Sequence, residues 1–283
     1  MRKPTEVIYN SEGGLENPGR FLSAMWKDLF SSWELAWRLM VRDINAKYRQ
    51  SLLGFLWAFV PSVVMAFGFT LAKNQQVINI RETNFPYPAY VMFSMVLWQT
   101  FVEALNGPLQ AVIASKPLLA RVNFPHEAII LAKIGEVFFN FGVKLLLVVS
   151  LFIWFRIPVT QSLVFAPWAL LILVLLGTFL GMLLVPLGVL YQDIPNALMV
   201  LTGFWLFITP VVYPVPSKGI FGVIVGLNPV TPLLETIREL ATFGVVSNPA
   251  GFWIVTTVTI VGLFLAWIMY RLAMPALIER ISS

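Results

Sequence analysis

The chain has no cysteine, a single histidine and little charge: of its 283 residues only 12% are Asp, Glu, Lys or Arg. The missing cysteines exclude disulfide frameworks, thiol catalysis and cysteine-based metal sites. The one histidine, His126, follows Pro125 and has no second histidine with which to form a ligand pair. No Gly-x-x-x-x-Gly-Lys-Ser/Thr run occurs, so this chain carries no P-loop for nucleotide. Carboxylates do not cluster with histidine as membrane-embedded hydrolysis requires, and there is no regular arginine ladder of the voltage-sensing kind. Apolar surface is what abounds. Hydrophobic residues make up 58% of the chain and mean hydropathy is +0.81, which no soluble domain of this length resembles. The net charge of +5 therefore answers to membrane topology rather than to nucleic acid.

A helical span takes ~20 apolar residues, and the pattern predicts an all-α integral membrane protein with six transmembrane helices. Residues 1–30 are polar and contain Pro4, Gly13, Gly14, Pro18 and Gly19 without a signal-peptide core, so they read as a flexible, uncleaved tail. Residues 31–51 read as an amphipathic interfacial helix. Trp33, Trp37, Met40, Ile44, Tyr48 and Leu52 recur at helical spacing on one side, and Glu34, Arg38, Arg42, Asn45 and Arg49 on the other. Ser31 with Glu34 is a capping-box signal, and Glu34 to Arg38 has the favourable order for a helical ion pair. Rings at the headgroup boundary and cations over phosphates suit a helix lying in the membrane interface.

Residues 52–283 read as one transmembrane domain. The first span is expected over Leu52–Ala72, kinked at Pro61, and the second over Tyr87–Asn106, stopped by Asn106-Gly107-Pro108. Leu109–His126 reads as a compact loop with some helix. The third span, Glu127–Phe155, carries Lys133, Glu136, Asn140 and Lys144 at intervals of three, four and four, which puts them on one face. An ionised group at the bilayer centre costs ~2.5–3.5 kcal/mol on insertion scales, so this stripe must face protein or water. It serves either to fasten helices, through a Lys133–Glu136 pair, or to support transport. The fourth span, Leu163–Leu187, holds Gly177 and Gly181 in a small-xxx-small pattern that permits close approach. A short apolar run, Asn196–Val212, precedes a segment, 214–249, cut by Pro216, Gly219, Gly222, Gly226, Asn228-Pro229 and Pro232. Broken backbone at membrane depth must be buried or line a wet cavity, so this segment is expected to be an external re-entrant helical hairpin with Leu233–Phe243 as its amphipathic second half. Gly251–Tyr270 is the last span. Cations outside the spans number twelve on the side of the termini and five on the other, which places both termini in the cytoplasm.

Arg42-Asp43-Ile44, Tyr48-Arg49, Ser51, Gly54, Trp57 and Pro61 resemble the opening signature of the membrane subunits of type-2 ABC exporters for polysaccharides, the family of O-antigen, capsule and teichoic acid permeases. Further matches follow in order: Asn106, Lys116-Pro-Leu-Leu, Asn123-Phe-Pro125, Asp193-Ile, Thr209-Pro-Val-Val-Tyr-Pro214 and Asn228-Pro229. Gln192 departs from the basic residue that many members carry before Asp193. The resemblance implies a pore-forming permease that is no enzyme itself, binds no cofactor, and forms a homodimer with two copies of a separate P-loop ATPase holding ATP and Mg. It implies a bacterial inner membrane and a lipid-linked polysaccharide as cargo. Carried over by position, Arg38, Arg42, Arg49, Ser115, Lys116, Leu119, Arg121 and Phe124 fall on the ATPase-contact elements. Trp57, Phe59, Phe67, Phe204, Trp205, Phe207 and Tyr213 fall on the path, where aromatic faces suit pyranose rings. Arg42 and Arg49 are the candidates for a lipid pyrophosphate. Competing readings are an ABC permease for a small lipid or drug, and a membrane enzyme that modifies glycolipids.

Overall fold

A computed structural model describes residues 18–49, 54–80, 82–122, 124–216 and 219–282, and the regular structure among them is all helical. The chain begins with α1 (Pro18–Ser31) and α2 (Trp33–Arg49), and a 3-10 turn at Gly54–Ala58 leads into α3 (Val60–Asn74). Next come α4 (Tyr87–Ala114), the one-turn α5 (Lys116–Leu119), α6 (Glu127–Trp154) and α7 (Ala166–Leu190). The last four helices are α8 (Asp193–Ile208), α9 (Ile220–Leu227), α10 (Val230–Thr242) and α11 (Pro249–Ser282). Among the described residues three helices, α6, α7 with the turn before it and α11, are long and apolar enough to cross a membrane; α9 and α10, bent by 82° at Asn228-Pro229, make a fourth when counted as one.

Several expectations are corrected. Residues 18–31 are helical rather than an open tail, because α1 is tied at Asp28 and Met25 to the rest of the protein. Ser31 caps nothing: its hydroxyl and that of Ser32 both donate to the Asp28 carbonyl, and Ser32 N–H bonds to the same carbonyl, so α1 runs almost unbroken into α2. Pro61 kinks no span, since it sits in the first turn of α3, where its missing N–H costs nothing. Asn106-Gly107-Pro108 does not stop α4, which continues to Ala114 with Pro108 inside it. Leu105, Leu109 and Val112 are buried on both sides of the proline, and packing by neighbouring helices outweighs the lost bond. The expected start at Leu52 lies outside the described residues.

Two hydrophobic cores organise the helices. The first joins the beginnings of α4 and α7 to Val148 near the end of α6, Ala66 of α3, Val211 and Val212, much of α10, and Phe252 of α11. The second joins the ends of α4, α7 and α11 to the start of α6, together with Ala36 and Leu39 of α2, Leu119 and Phe124. Between them lies a thin waist of three buried apolar residues, Ala104, Val137 and Val174. At that waist α4 and α7 nearly touch: a Cβ added to Gly177 would meet Ala104 Cβ at 2.7 Å and the Phe101 carbonyl at 2.8 Å. The small-xxx-small pattern is thus a helix crossing, in which side chains are dispensed with so that backbones meet. Gly244, at φ +78°, ends α10 with its N–H on the Glu239 carbonyl at 2.8 Å, a left-handed cap that suits glycine.

Candidate functional site

α2 lies along α6 with its small and mid-sized residues inward. Ala36 and Leu39 are buried, and Met40 sits over Gly135, where a Cβ would strike its sulfur. Trp33 and Trp37, which share the helix side with Met40, point away from the protein and are mostly exposed, beside Trp26 and Phe30 of α1. The expected apolar stripe therefore divides into a protein-facing edge and an outward aromatic edge. On the polar side Arg38 pairs with Glu34 at 2.6 Å, as its spacing predicts, and Arg42 with Asp43 at 2.8 Å. Arg49 is exposed and, with Ile44, Asn45, Tyr48 and Phe55, lines an open groove between α2 and the 3-10 turn.

The polar stripe of α6 is buried at the level of the waist and is wired to two other helices. Lys133 binds Glu136 at 2.7 Å, the expected pair, and Lys47 of α2 reaches the other Glu136 oxygen at 3.5 Å. The Tyr48 hydroxyl donates to Asn140 Oδ1 at 3.0 Å, while Asn140 Nδ2 donates to Glu103 of α4 at 3.1 Å. Lys144 completes the set by binding the second Glu103 oxygen. Each Asn140 atom thus has one chemically suitable partner, which fixes the amide's orientation. Sequence reasoning missed Glu103, Lys47 and the Tyr48 hydroxyl. The available signal was Glu103 itself, the single carboxylate of α4, which needs a cation somewhere in the bundle.

A second polar knot holds the Thr209–Pro214 block. Tyr87 and Tyr90 donate to the carbonyls of Val212 at 2.9 Å and Tyr213 at 3.1 Å. Arg238, buried in α10, gives one guanidinium nitrogen to Tyr90 Oη at 2.6 Å, Ser94 Oγ at 3.0 Å and the Pro210 carbonyl at 2.9 Å. Asn228, at the bend, accepts from Trp205 Nε1 at 3.1 Å and from Val230 N–H at 3.0 Å, and donates to Thr209 Oγ1 at 2.8 Å. The amphipathic pattern expected of Leu233–Phe243 holds only in part: Glu235 and Glu239 form the one half-buried edge of α10, while its arginine is turned inward among otherwise buried residues. Replacing Arg238 with Met should cost about 2 kcal/mol, because three buried acceptors lose a charged donor. Thermal unfolding in detergent, with faster amide exchange at Val211–Tyr213, would register the loss; unchanged exchange would mean that Arg238 is not what holds the block.

A third knot gathers the chain ends. Arg271 of α11 binds Asp28 of α1 and Glu127 of α6 at 2.5 and 2.8 Å, and Tyr270 Oη donates to the His126 carbonyl at 3.2 Å. Burial first, and the Arg271 charge second, push the His126 imidazole down to about 4 against the pull of Asp28, so it stays neutral at neutral pH.

The remaining candidate positions separate by exposure. Ser115, Leu119 and Phe124 are buried, and Lys116 donates to the Val189 carbonyl at 3.0 Å, so these four anchor α5 and its flanks to the bundle. Pro117, Ala120, Arg121 and Val122 form its exposed tip. Trp57, Phe67, Phe204 and Phe207 are exposed, Phe59 is half-buried, and Tyr213 is half-buried with its hydroxyl on the Phe207 carbonyl. Trp205 turns the other way, packing edge-on against Trp98 and Phe101 while bonded to Asn228. The exposed faces of α3 and α8 are continuous apolar surfaces, Val64, Phe67 and Leu71 on one and Val200, Phe204 and Phe207 on the other.

The model of the family described as ABC-2 type transporter matches residues 34–241. Among curated proteins, the chain is 25% identical over 221 residues to an O-antigen export system permease protein RfbA of Myxococcus xanthus, covering 76% of this chain and 82% of that one. It is 22% identical over 207 residues to a protein of the same name from Klebsiella pneumoniae, covering 70% and 76%. It is 24% identical over 245 residues to the polysialic acid transport protein KpsM of Escherichia coli, covering 82% and 91%.

Proposed function

Because this chain belongs to the ABC-2 type transporter family as a multi-pass membrane protein, we propose that it is the permease subunit of an ATP-driven exporter, moving a lipid-linked polysaccharide from the cytoplasmic side of a bacterial inner membrane. Its similarity to O-antigen and polysialic acid transport proteins supports that cargo class over a drug or small lipid. The single observation that carries the reading is the arrangement at one end of the bundle. There an aromatic and basic helix, α2, and an anchored loop with an exposed basic tip, α5, meet the ends of α4 and α7 in one core.

In this reading the chain crosses the membrane six times, through α3, α4, α6, α7, α8 and α11: α4, α6, α7, α8 and α11 each pack against both cores, and α3 flanks α4 along the first. At 15 and 16 residues α3 and α8 measure ~22–24 Å, short of the ~30 Å hydrocarbon core, and the 3-10 turn and the Thr209–Pro214 block make up the difference. Both termini are cytoplasmic, and the bent pair α9–α10 is a re-entrant gate on the outer side. Two copies pair through the apolar faces of α3 and α8, with Phe67, Phe204 and Phe207 toward the polymer. Two ATPase subunits dock on the exposed cations Arg38, Arg42, Arg49 and Arg121, while Ser115, Lys116, Leu119 and Phe124 hold the docking loop in place. Arg42 and Arg49, the second of which lines the groove, receive the pyrophosphate of the lipid carrier.

Purification in mild detergent should bring down a stoichiometric P-loop ATPase, and charge reversal at Arg42 and Arg121 together should remove most of it while leaving the permease folded. A monodisperse preparation devoid of ATPase, from membranes in which other complexes survive, would overturn the exporter reading.

A further inference from the structure

Among the described residues, the network at the waist contains three cations, Lys47, Lys133 and Lys144, and two carboxylates, Glu103 and Glu136. One positive charge is therefore in excess, and the geometry identifies which. Lys144 is fully buried against Glu103, and Lys133 is mostly buried at 2.7 Å from Glu136. Lys47 is half-exposed and reaches Glu136 only at 3.5 Å. If Lys47 leaves, Glu136 keeps Lys133, so departure strands no carboxylate. Staying adds little, since a partly solvated ion pair gains almost nothing over its two hydrated charges.

Lys47 also lies next to one wall of the groove. Its ammonium lies 5.7 Å from the centroid of the Tyr48 ring, and that ring lines the groove together with Ile44, Asn45, Arg49 and Phe55. Tyr48 itself is held through Asn140, which is held by Glu103, so the wall between Lys47 and the groove is fixed while Lys47 is not. A long, flexible ammonium beside a fixed guanidinium is suited to closing on a multiply charged anion.

We propose that Lys47 is a transferable cation, paired with Glu136 in this structure and exchanged onto the pyrophosphate of the lipid-linked substrate when the headgroup enters the groove beside Tyr48 and Arg49. The proposal rests on the headgroup reading above and adds a specificity-determining residue and a consequence. The transfer breaks the ion contact between α2 and α6 but spares the Tyr48–Asn140 bond and the packing of Ala36, Leu39 and Met40, so substrate arrival loosens the α2–α6 seam only around Lys47. Pyrophosphate is favoured over monophosphate because it carries the additional charge for the additional cation.

The test is titration calorimetry of the full chain in nanodiscs of zwitterionic lipid, with farnesyl pyrophosphate as the probe. Lys47→Gln should weaken binding about tenfold, as loss of one charge-assisted hydrogen bond does, and Lys47→Arg should restore most of it. Glu136→Gln, which removes the competing partner, should tighten binding several-fold. Equal weakening by Lys47→Gln and Glu136→Gln would reduce the pair to a structural fastening and overturn the proposal. So would unchanged affinity in Lys47→Gln when Arg49→Gln abolishes binding, and the headgroup reading would then survive alone. Absence of binding by the wild-type chain would remove the headgroup reading and this inference with it. A Lys47-dependent response to phosphatidylglycerol in the nanodisc, without the probe, would assign the phosphate to bulk lipid and overturn the pyrophosphate assignment.

Discussion

Glu103→Ala is expected to destabilise the protein by about 3–5 kcal/mol, because it leaves Lys144 charged, buried and without its carboxylate. It also takes the acceptor from Asn140 and so loosens Tyr48. The cost comes from the uncompensated partner rather than from the lost attraction, which makes the double variant informative. Glu103→Gln combined with Lys144→Met removes both charges, keeps similar volume and an amide near Asn140, and should recover most of the loss. Denaturant or thermal unfolding in one detergent, compared across Glu103→Gln, Lys144→Met and the double, measures the coupling. Additive losses would show that the two side chains are not partners.

The second large effect is expected at the α4–α7 crossing. Gly181→Val should cost about 3 kcal/mol, at the top of the overpacking range, or prevent folding. A Cβ at residue 181 would run into the Leu105 carbonyl and meet Pro108 at 3.0 Å, and backbone does not step aside as a flexible side chain does. Gly203, on the open face of α8, has nothing within 4 Å of the same position. Gly203→Ala should therefore be neutral, or stabilising by up to about 1 kcal/mol through helix propensity. Membrane yield and melting temperature of both variants decide the matter: equal effects would mean that the Gly181 crossing has room for a side chain.

The long elements were legible in the sequence because each announces itself locally. Glu127–Trp154 is an apolar run of spanning length whose polar residues keep one helical face, and both features survive in the structure. Gly177 and Gly181 likewise marked a close crossing. What escaped was set by partners far along the chain. Pro108 reads as a stop in isolation, yet α7 and α6 pack around it and carry the helix through. The order of residues 18–31 depends on Arg271, 243 positions beyond Asp28. Arg238 reads as the wet side of an amphipathic helix until Tyr90, Ser94 and the Pro210 carbonyl are brought beside it. The resemblance placed α5 at a partner surface, but residue type could not separate side chains that root the loop, such as Phe124, from those that present it, such as Arg121.

The thin waist divides the labour of the helices that cross it. Along α4 and α7 the two halves are joined by backbone against backbone, so that pair behaves as a stiff spar and passes displacement from one end to the other with little give. Along α2 and α6 the same level is joined by side-chain charges that can trade partners, which makes that seam compliant. The stiff side also carries Tyr87 and Tyr90, which hold the Val212 and Tyr213 carbonyls, so a push at the α5 end would reach the Thr209–Pro214 block along α4. Tilt, rather than uniform expansion, is the deformation such a frame allows most easily.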